Sequence, residues 1–292
     1  MRNANSAIAN IIIYLTLSLM ALAGLLPIVH TLAISLSDKA AVTGGLVRLW
    51  PIGLHIENYR EIITSRFFLR GYGISTMRVA VGVTVQIGLI VITGYPIALE
   101  SRFKGRNAFV FFLLIPMMFN GGLIPTFLVV NAVGLLNSFW ALIIPSAVQI
   151  FSIIIFMNYV RGLPAALMES ATIDGAGHVR IIASIIMPLA LPSVATLVLF
   201  SFVFHWNSWF DGLIYINDIR KWPIQTVLRS FLTGQLDLTQ AFDISQLDRI
   251  TKLSDTGFKA AEVILVMVPL LLIYPSLQRY YIKGLTLGAV KQ

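Results

Sequence analysis

The chain has 292 residues, of which 57% are hydrophobic and only 12% are charged. Because soluble domains carry about 25% charged residues, this composition excludes an ordinary soluble core and indicates a chain that lies mostly in a membrane. The net charge of +8 does not indicate nucleic-acid binding, since Lys and Arg also accumulate in the cytoplasmic loops of membrane proteins. The absence of cysteine excludes a disulfide framework, a thiolate metal site and a cysteine nucleophile.

Six apolar runs are long enough to cross a bilayer, which takes roughly 20 residues in a helix. In chain order they cover roughly residues 8–35, 74–99, 108–130, 139–160, 185–206 and 262–282. The first run is too long for the apolar part of a signal peptide, so it is predicted to remain as a helix. In the third, Asn120-Gly121-Gly122 and Pro125 predict irregular backbone, either an ordinary kink or the lining of a wet cavity. The sequence thus predicts an all-α polytopic membrane protein with six transmembrane helices in one domain, residues 1–292.

Two longer polar segments, residues 36–72 and 207–260, are predicted to lie outside the cell membrane. With both termini in the cytoplasm, the inner side would hold nine Lys and Arg, and the outer segments would hold eleven. The positive-inside rule applies chiefly to short loops, and the cluster of Arg102, Lys104 and Arg106 falls in one. We therefore predict that both termini are cytoplasmic.

Motifs for catalysis are missing from the sequence. It contains no GxxxxGK[ST] phosphate loop, no HExxH metal motif and no GxSxG nucleophile elbow. The predicted spans also lack the acidic relay of a proton- or sodium-coupled carrier. Arg78 and Glu262 fall near predicted span ends, and Arg78 is expected to snorkel to the interface. The sequence therefore predicts no catalytic, cofactor or metal site, including at the scattered His30, His55, His178 and His205.

A polar elbow, residues 163–192, separates the fourth and fifth spans. Pro164 suits the first turn of a helix, and good helix formers follow it to residue 173. Gly175 accepts the positive φ that ends helices, so a break is expected there. A second helix is expected over residues 178–187, after which two prolines would kink the start of the fifth span. These signals alone are compatible with an elbow that contacts a partner and with one that simply lies at the interface.

The elbow contains the run ESATIDGAG, from Glu169 to Gly177, which resembles the EAA loop of bacterial ABC importer permeases. Ser170 replaces the usual Ala after Glu, and Met187 replaces the usual Leu before Pro. The resemblance implies that the loop docks on ATPase subunits, where Glu169 would orient it and Gly175 would permit its turn. The implied coupling residues are Glu169, Ser170, Ala171, Asp174, Gly175, Ala176 and Gly177.

Further matches to this family extend over most of the chain. They are Tyr95–Arg102, Gly121–Thr126, Gly134–Ser138, Trp206-Asn207 with Trp209-Phe210, and the tail Lys283–Lys291. The tail is similar to that of the carbohydrate-uptake group, to which the maltose permeases belong. Residues 119–125 and 205–211 resemble the subgroup that serves complex, often uronate-containing oligosaccharides such as alginate.

The resemblance implies a type I ABC importer permease fold with a cytoplasmic coupling helix, in a bacterial inner membrane. The implied partners are a second, homologous permease, two ATPase subunits and an external solute-binding protein. Five residues have the right chemistry for the sugar pathway: Asn120, Trp206, Asn207, Trp209 and Arg78. Alternatively, the tryptophans would form an aromatic belt. If the sugar is a uronate, Arg78 would neutralise its carboxylate. A permease for another solute class, a self-powered channel or carrier, and a membrane enzyme remain as alternatives.

Overall fold

The computed structural model describes residues 2–99, 104–119, 121–235 and 253–289, with side chains from residue 8 to residue 275 within these ranges. The regular structure of these residues is helical, and no strand occurs among them, which confirms the all-α class. Asn120 and the stretch Glu100–Arg102 lie outside the described residues.

The helices in chain order are α1 (Arg2–Ser35), α2 (Lys39–Thr43), α3 (Glu57–Thr64), α4 (Arg66–Ala98), α5 (Arg106–Met118), α6 (Leu123–Ala132), α7 (Ile150–Arg161), α8 (Ala165–Ile173), α9 (His178–Ile181), α10 (Met187–Leu189), α11 (Leu191–Asn207), α12 (Phe210–Tyr215), α13 (Ile224–Leu232) and α14 (Asp255–Ala289). Short 3-10 turns cover Phe139–Leu142, Ile144–Ser146 and Ile219–Lys221, and Ile182–Ile186 form a π-helical turn.

Six stretches of the described chain can cross a membrane by length and composition. Three are single helices: Ile8–Ser35 of α1, all of α4, and Asp255–Pro275 of α14. The other three are bent pairs: α5 with α6, the turns of Phe139–Ser146 with α7 at 52°, and His178–Leu189 with α11 at 85°. The six-span prediction is confirmed when each bent pair counts as one span. The break after α5 also agrees with the irregular backbone predicted for the third span.

Two predicted boundaries are wrong because cap residues start these helices before the apolar runs begin. Hydropathy places the start of the second span at residue 74, but α4 starts at Arg66, where the Ser65 hydroxyl accepts a bond from the Phe68 amide at 3.4 Å. The outer segment predicted to reach residue 260 ends where α14 starts, and the Ser254 hydroxyl accepts from the Gly257 amide at 3.3 Å. A side-chain oxygen at the N-cap satisfies an otherwise unpaired helical amide.

The contacts of the chain form two compact units, residues 1–69 with 228–268, and residues 70–227 with 269–292. In the first unit, polar contacts hold the segment after α1 to the end of that helix. The Asn58 amide donates to the Ser35 carbonyl at 3.0 Å, and the Ser35 and Tyr59 hydroxyls lie 2.5 Å apart. The prediction of a single domain stays a prediction.

The second unit has a core built from α4, α7, the elbow and α11. Its most enclosed side chains include Phe156, Val160, Ile186 and Ala190, each with no exposed surface. Gly94 of α4 permits close packing here, because a Cβ at this position would lie 2.8 Å from Phe156 Cδ1. Small residues allow such close approach of membrane helices. Both candidate sites lie in this unit.

Candidate functional site

The first helix of the elbow has the predicted bounds, because its end signals are local. It runs from Ala165 to Ile173 as α8, with Pro164 directly before it. The Ala176 amide donates to the Ala171 carbonyl at 2.9 Å, and the Gly175 amide donates to the Thr172 carbonyl at 3.1 Å. Gly175 has a φ of +78°. These two bonds around a left-handed residue are the Schellman helix ending, so the break predicted at Gly175 is confirmed.

The second helix of the elbow is less regular than predicted. The sequence predicts a single helix over residues 178–187, but the π-helical turn Ile182–Ile186 interrupts it between α9 and α10. Pro188 has no amide hydrogen and its ring crowds the preceding turn, and the wider π turn accommodates both effects. The kink predicted at the start of the fifth span is confirmed, since His178–Leu189 and α11 meet at 85°. Pro192 lies just after this bend, in the first turn of α11, where an amide hydrogen is not needed.

One side of the elbow is packed against the core of its unit. Ala171 is buried, and Ile181 and Ile186 lie in the same cluster as side chains of α4 and α7. His178 Nδ1 lies 3.1 Å from the hydroxyl of the buried Tyr95, which adds a polar link to α4. The elbow is therefore fixed to α4 and α7 and would move with them.

The other side of the elbow is exposed and of mixed character. Two aliphatic side chains stand almost entirely in the open, Ile173 at 86% exposure and Val179 at 82%. Glu169 is also exposed, and its carboxylate makes no hydrogen bond or ion pair with any residue that the structure describes. Of the predicted coupling residues, Ala171 is buried, Ala176 is half-buried, and the exposed ones are Glu169, Ser170, Asp174, Gly175 and Gly177.

Arg78 is buried in an ion pair that the sequence did not reveal. Its side chain has no exposed surface, and both terminal guanidinium nitrogens donate to the carboxylate of Asp211, one of them at 3.1 Å. The same guanidinium donates to the Ser208 carbonyl at 3.3 Å. The snorkelling expected of Arg78 is wrong, because α4 starts at Arg66. Arg78 therefore lies about 18 Å inside the helix rather than near its end.

Arg78 is the first of three positions on one face of α4 that contact polar side chains. The next, one turn on, is Gly82, where a Cβ would lie 2.5 Å from Nε2 of the buried His205. One turn further, the Gln86 amide donates to the Ser146 carbonyl at 2.9 Å and its oxygen accepts from the Ser201 hydroxyl. Polar contacts of this kind, together with small residues, hold helices together in lipid.

Trp206 packs within the protein. It is 2% exposed, and its ring lies edge-on to Tyr72 with centroids 5.4 Å apart and parallel to Phe202 at 6.1 Å. A sugar-stacking role and a place in an aromatic belt both require an exposed ring. In this conformation neither is open to Trp206, which instead supports the end of α11.

Asn207 and Trp209 line an open cleft of about 590 Å³ in the same unit, named here the Asp211 cleft. Its polar lining residues are Thr126, Ser146, Asn207, Ser208 and Asp211, and its aromatic ones are Phe204, Trp209, Phe210 and Tyr215. Burial raises the pKa of the Tyr215 phenol above its ordinary value, and the Asp211 carboxylate raises it further, so this phenol stays protonated. The structure thus brings Asn207 and Trp209 together with Asp211, and places Arg78 behind them.

Comparisons with known proteins match the chain over nearly its whole length. The family model described as "Binding-protein-dependent transport system inner membrane component" matches residues 86–286. The chain is 34% identical to the polygalacturonan/rhamnogalacturonan transport system permease protein YtcP of Bacillus subtilis (strain 168), over 97% of this chain and 98% of that protein. It is 36% identical to the protein LplC of the same organism, over 91% and 89%.

A solved structure supports the same assignment at the level of the fold. The chain superposes with a TM-score of 0.86 and 28% identity on a subunit in the crystal structure of a bacterial ABC transporter involved in the import of the acidic polysaccharide alginate. The match covers 94% of this chain and 97% of that one.

Proposed function

The chain belongs to the family of inner membrane components of binding-protein-dependent transport systems, and on that premise we propose that it forms half of an oligosaccharide pathway in a bacterial ABC importer. Family membership confirms the expected class, a permease subunit of such an importer in the inner membrane. The observation that supports a saccharide is the near full-length similarity to YtcP, a permease named for polygalacturonan and rhamnogalacturonan transport. The likeness to the alginate importer favours fragments of an acidic polysaccharide.

The exposed side of the elbow is the surface on which an ATPase subunit would dock. Ile173 and Val179 would bury their aliphatic side chains in a cleft of that subunit, and Glu169 would orient the loop through polar contacts. Ala171 would act differently, by packing the elbow onto its own core. Because the elbow is fixed to α4 and α7, closure of two ATPase subunits on ATP would move the elbow and rock the spans between two states.

This assignment fixes the expected orientation and the remaining partners. The ATPase subunits are cytoplasmic, so the elbow and both chain termini would face the cytoplasm. The segments after α1 and after α11 would then face outward, towards an external solute-binding protein. A second, homologous permease would complete the pathway, and ATP hydrolysis would be confined to the ATPase subunits.

The proposal is tested with the purified complex of both permeases and two ATPases in nanodiscs, supplied with its solute-binding protein. We expect ATP hydrolysis to rise when the binding protein carries an acidic oligosaccharide, and to remain basal with the unloaded binding protein. Stimulation by amino acids or peptides instead would indicate another solute class. Solute uptake into vesicles that lack the ATPase subunits would contradict the importer itself.

A further inference from the structure

Of the two charged side chains in the Arg78–Asp211 pair, only that of Asp211 faces the cleft. Its side chain is 22% exposed, whereas that of Arg78 has no exposed surface. An ionisable pair within a membrane protein is a candidate for function, because burying charges in a low-dielectric region is costly. The two partners are not equivalent here: the cation is enclosed by protein, and the carboxylate forms part of the cleft wall.

The hydrogen bonds of Asp211 leave part of its accepting capacity unused. One carboxylate oxygen accepts from the Arg78 guanidinium at 3.1 Å and from the Gly212 amide at 2.9 Å. The other oxygen accepts from the second guanidinium nitrogen. An ionised carboxylate offers about four accepting positions, and these bonds occupy three of them. The remaining position belongs to the oxygen that has a single partner.

The backbone that carries Asp211 is held in place on both sides. Arg78 binds the Ser208 carbonyl ahead of it, and the Thr226 hydroxyl donates to the Trp209 carbonyl at 2.8 Å. After it, Gly212 lies so close to Thr226 that a Cβ would be 2.2 Å from the hydroxyl oxygen. A binding group held by such supporting contacts keeps its direction without a solute, which lowers the cost of ordering it.

The rest of the Asp211 cleft has the chemistry of a site for a hydroxyl-rich ring. Among its lining residues Asp211 is the only charged side chain, and the others with polar groups carry hydroxyls, an amide or, in Trp209, an indole N–H. Aromatic side chains lie beside them, Trp209 and Phe210 with their rings edge to face at 5.4 Å. Apolar ring surfaces and a few directed polar groups are typical of small-molecule sites. An anionic solute group would find no cation on this lining.

We propose that the Asp211 cleft holds one sugar ring of the transported oligosaccharide, with the Asp211 carboxylate accepting a hydrogen bond from a ring hydroxyl. Arg78 is then a positioning residue that fixes the carboxylate and does not touch the solute. This inference rests on the proposed function and names the part of a saccharide that this subunit would recognise. It replaces the idea that Arg78 neutralises a uronate carboxylate, since the guanidinium is already occupied by Asp211.

The absence of cysteine in this chain allows a direct test of the cleft. A Thr126→Cys variant places one thiol on the cleft lining, and a Thr64→Cys variant places one on an exposed position of the segment after α1. In the assembled complex with its binding protein, we expect a saccharide that stimulates ATP hydrolysis to slow alkylation of the first variant by a membrane-impermeant thiol reagent. Alkylation of the Thr64→Cys variant should not depend on the saccharide.

The role of the ion pair is tested in the Thr126→Cys background. Asp211→Asn alone leaves a buried cation without its charged partner, which can destabilise the complex. The double change Arg78→Met with Asp211→Ala removes both charges and the acceptor together. Proteins tolerate the loss of a whole buried ion pair better than the loss of one partner. We expect the saccharide concentration that halves alkylation to rise about tenfold or more, as for the loss of a charged hydrogen bond. Arg78→Lys keeps the charge but not the paired geometry and should give a smaller rise.

Three outcomes separate the inference from the proposed function. An unchanged half-protection concentration in the assembled double variant would overturn the inference, even if the stability of the complex had changed. Import of a saccharide by the parent complex, without protection of the Thr126→Cys thiol, would also overturn it and leave the proposed function standing. A parent complex that imports no saccharide would overturn both.

Discussion

Substitution of Gly175 gives the sharpest test of the elbow as the coupling element. Gly175 has a φ of +78°, and a Cβ built there meets no atom within 4 Å, so Gly175→Ala adds backbone strain without a clash. That strain is about 1 kcal/mol for one residue in the left-handed region. Gly175→Asp places a carboxylate beyond the carboxyl end of α8, which adds about 0.3–1 kcal/mol through the helix dipole. At about 1.4 kcal/mol per tenfold change, the two terms together reduce the equilibrium constant for the correctly closed elbow by roughly ten- to thirtyfold.

The chain contains a matched control for this experiment in Gly45. It follows α2 with a φ of +65°, and it also has open space around it. The Gly45 amide donates to the Val42 carbonyl and the Leu46 amide to the Ala41 carbonyl, which is the same helix ending as at Gly175. Gly45→Asp therefore carries the same strain and the same unfavourable charge in the segment predicted to lie outside. We expect Gly175→Asp to lower saccharide-stimulated ATP hydrolysis and uptake in proteoliposomes, by up to about thirtyfold, while Gly45→Asp retains both.

Comparison of Gly175→Asn with Gly175→Asp separates charge from shape, because Asn and Asp have the same shape. Asn tolerates the left-handed backbone and carries no charge, so it should retain more coupling than Gly175→Asp. Assembly of all variants is checked by co-purification of the ATPase subunits from detergent. If Gly175→Asp and Gly45→Asp gave equal uptake in equally assembled complexes, the elbow would not be the coupling element.

Two further predictions follow from the burial of particular positions. Gly82→Ala should lower the unfolding temperature of the complex, at a cost of about 1–3 kcal/mol, because its Cβ would overlap His205, whereas Gly88→Ala on the same helix meets no atom within 4 Å and should not. A cysteine introduced as Ile173→Cys should cross-link to an ATPase subunit, since Ile173 is 86% exposed. Ala171→Cys should react poorly because that position is buried. Equal cross-linking from both variants would contradict the proposal that this surface docks on the ATPase.

The elbow was predictable from the sequence because its determinants are local. Pro164 and Gly175 act within one helical turn of their own positions, and the bounds of α8 agree with them. The starts of α4 and α14 were missed although the cap signals, Ser65 and Ser254, were also local. Hydropathy scores a residue by its apolar character only. A polar cap residue and the charged first turn after it are therefore assigned to a loop. A closer search for cap residues ahead of each apolar run would have found both starts.

The irregular part of the elbow lies at the limit of such local signals. Pro188 predicts a disturbance of the helix before it, but the disturbance can be a kink, a break or a wider turn. The structure has the wider turn, and Ile181 directly before it and Ile186 at its end are packed into the core of the unit. Whether a kink, a break or a wider turn occurs depends on that packing. The spacing of residues in a single sequence does not reveal which distant side chains pack together.

The Asp211 cleft could not be predicted from the sequence, because its central contact joins residues 133 positions apart. A buried arginine in a span requires an anionic partner, so the sequence already implied that an acid would approach Arg78 if α4 extended past it. It did not say which acid, because Asp211, Asp218 and Glu262 all stand near span ends. Asp218 pairs instead with the exposed Arg220 at 3.0 Å, which leaves Asp211 to be identified by the fold. Because its partner is Asp211, Arg78 cannot also serve a uronate. Selectivity for acidic saccharides would then have to come from the binding protein or the second permease.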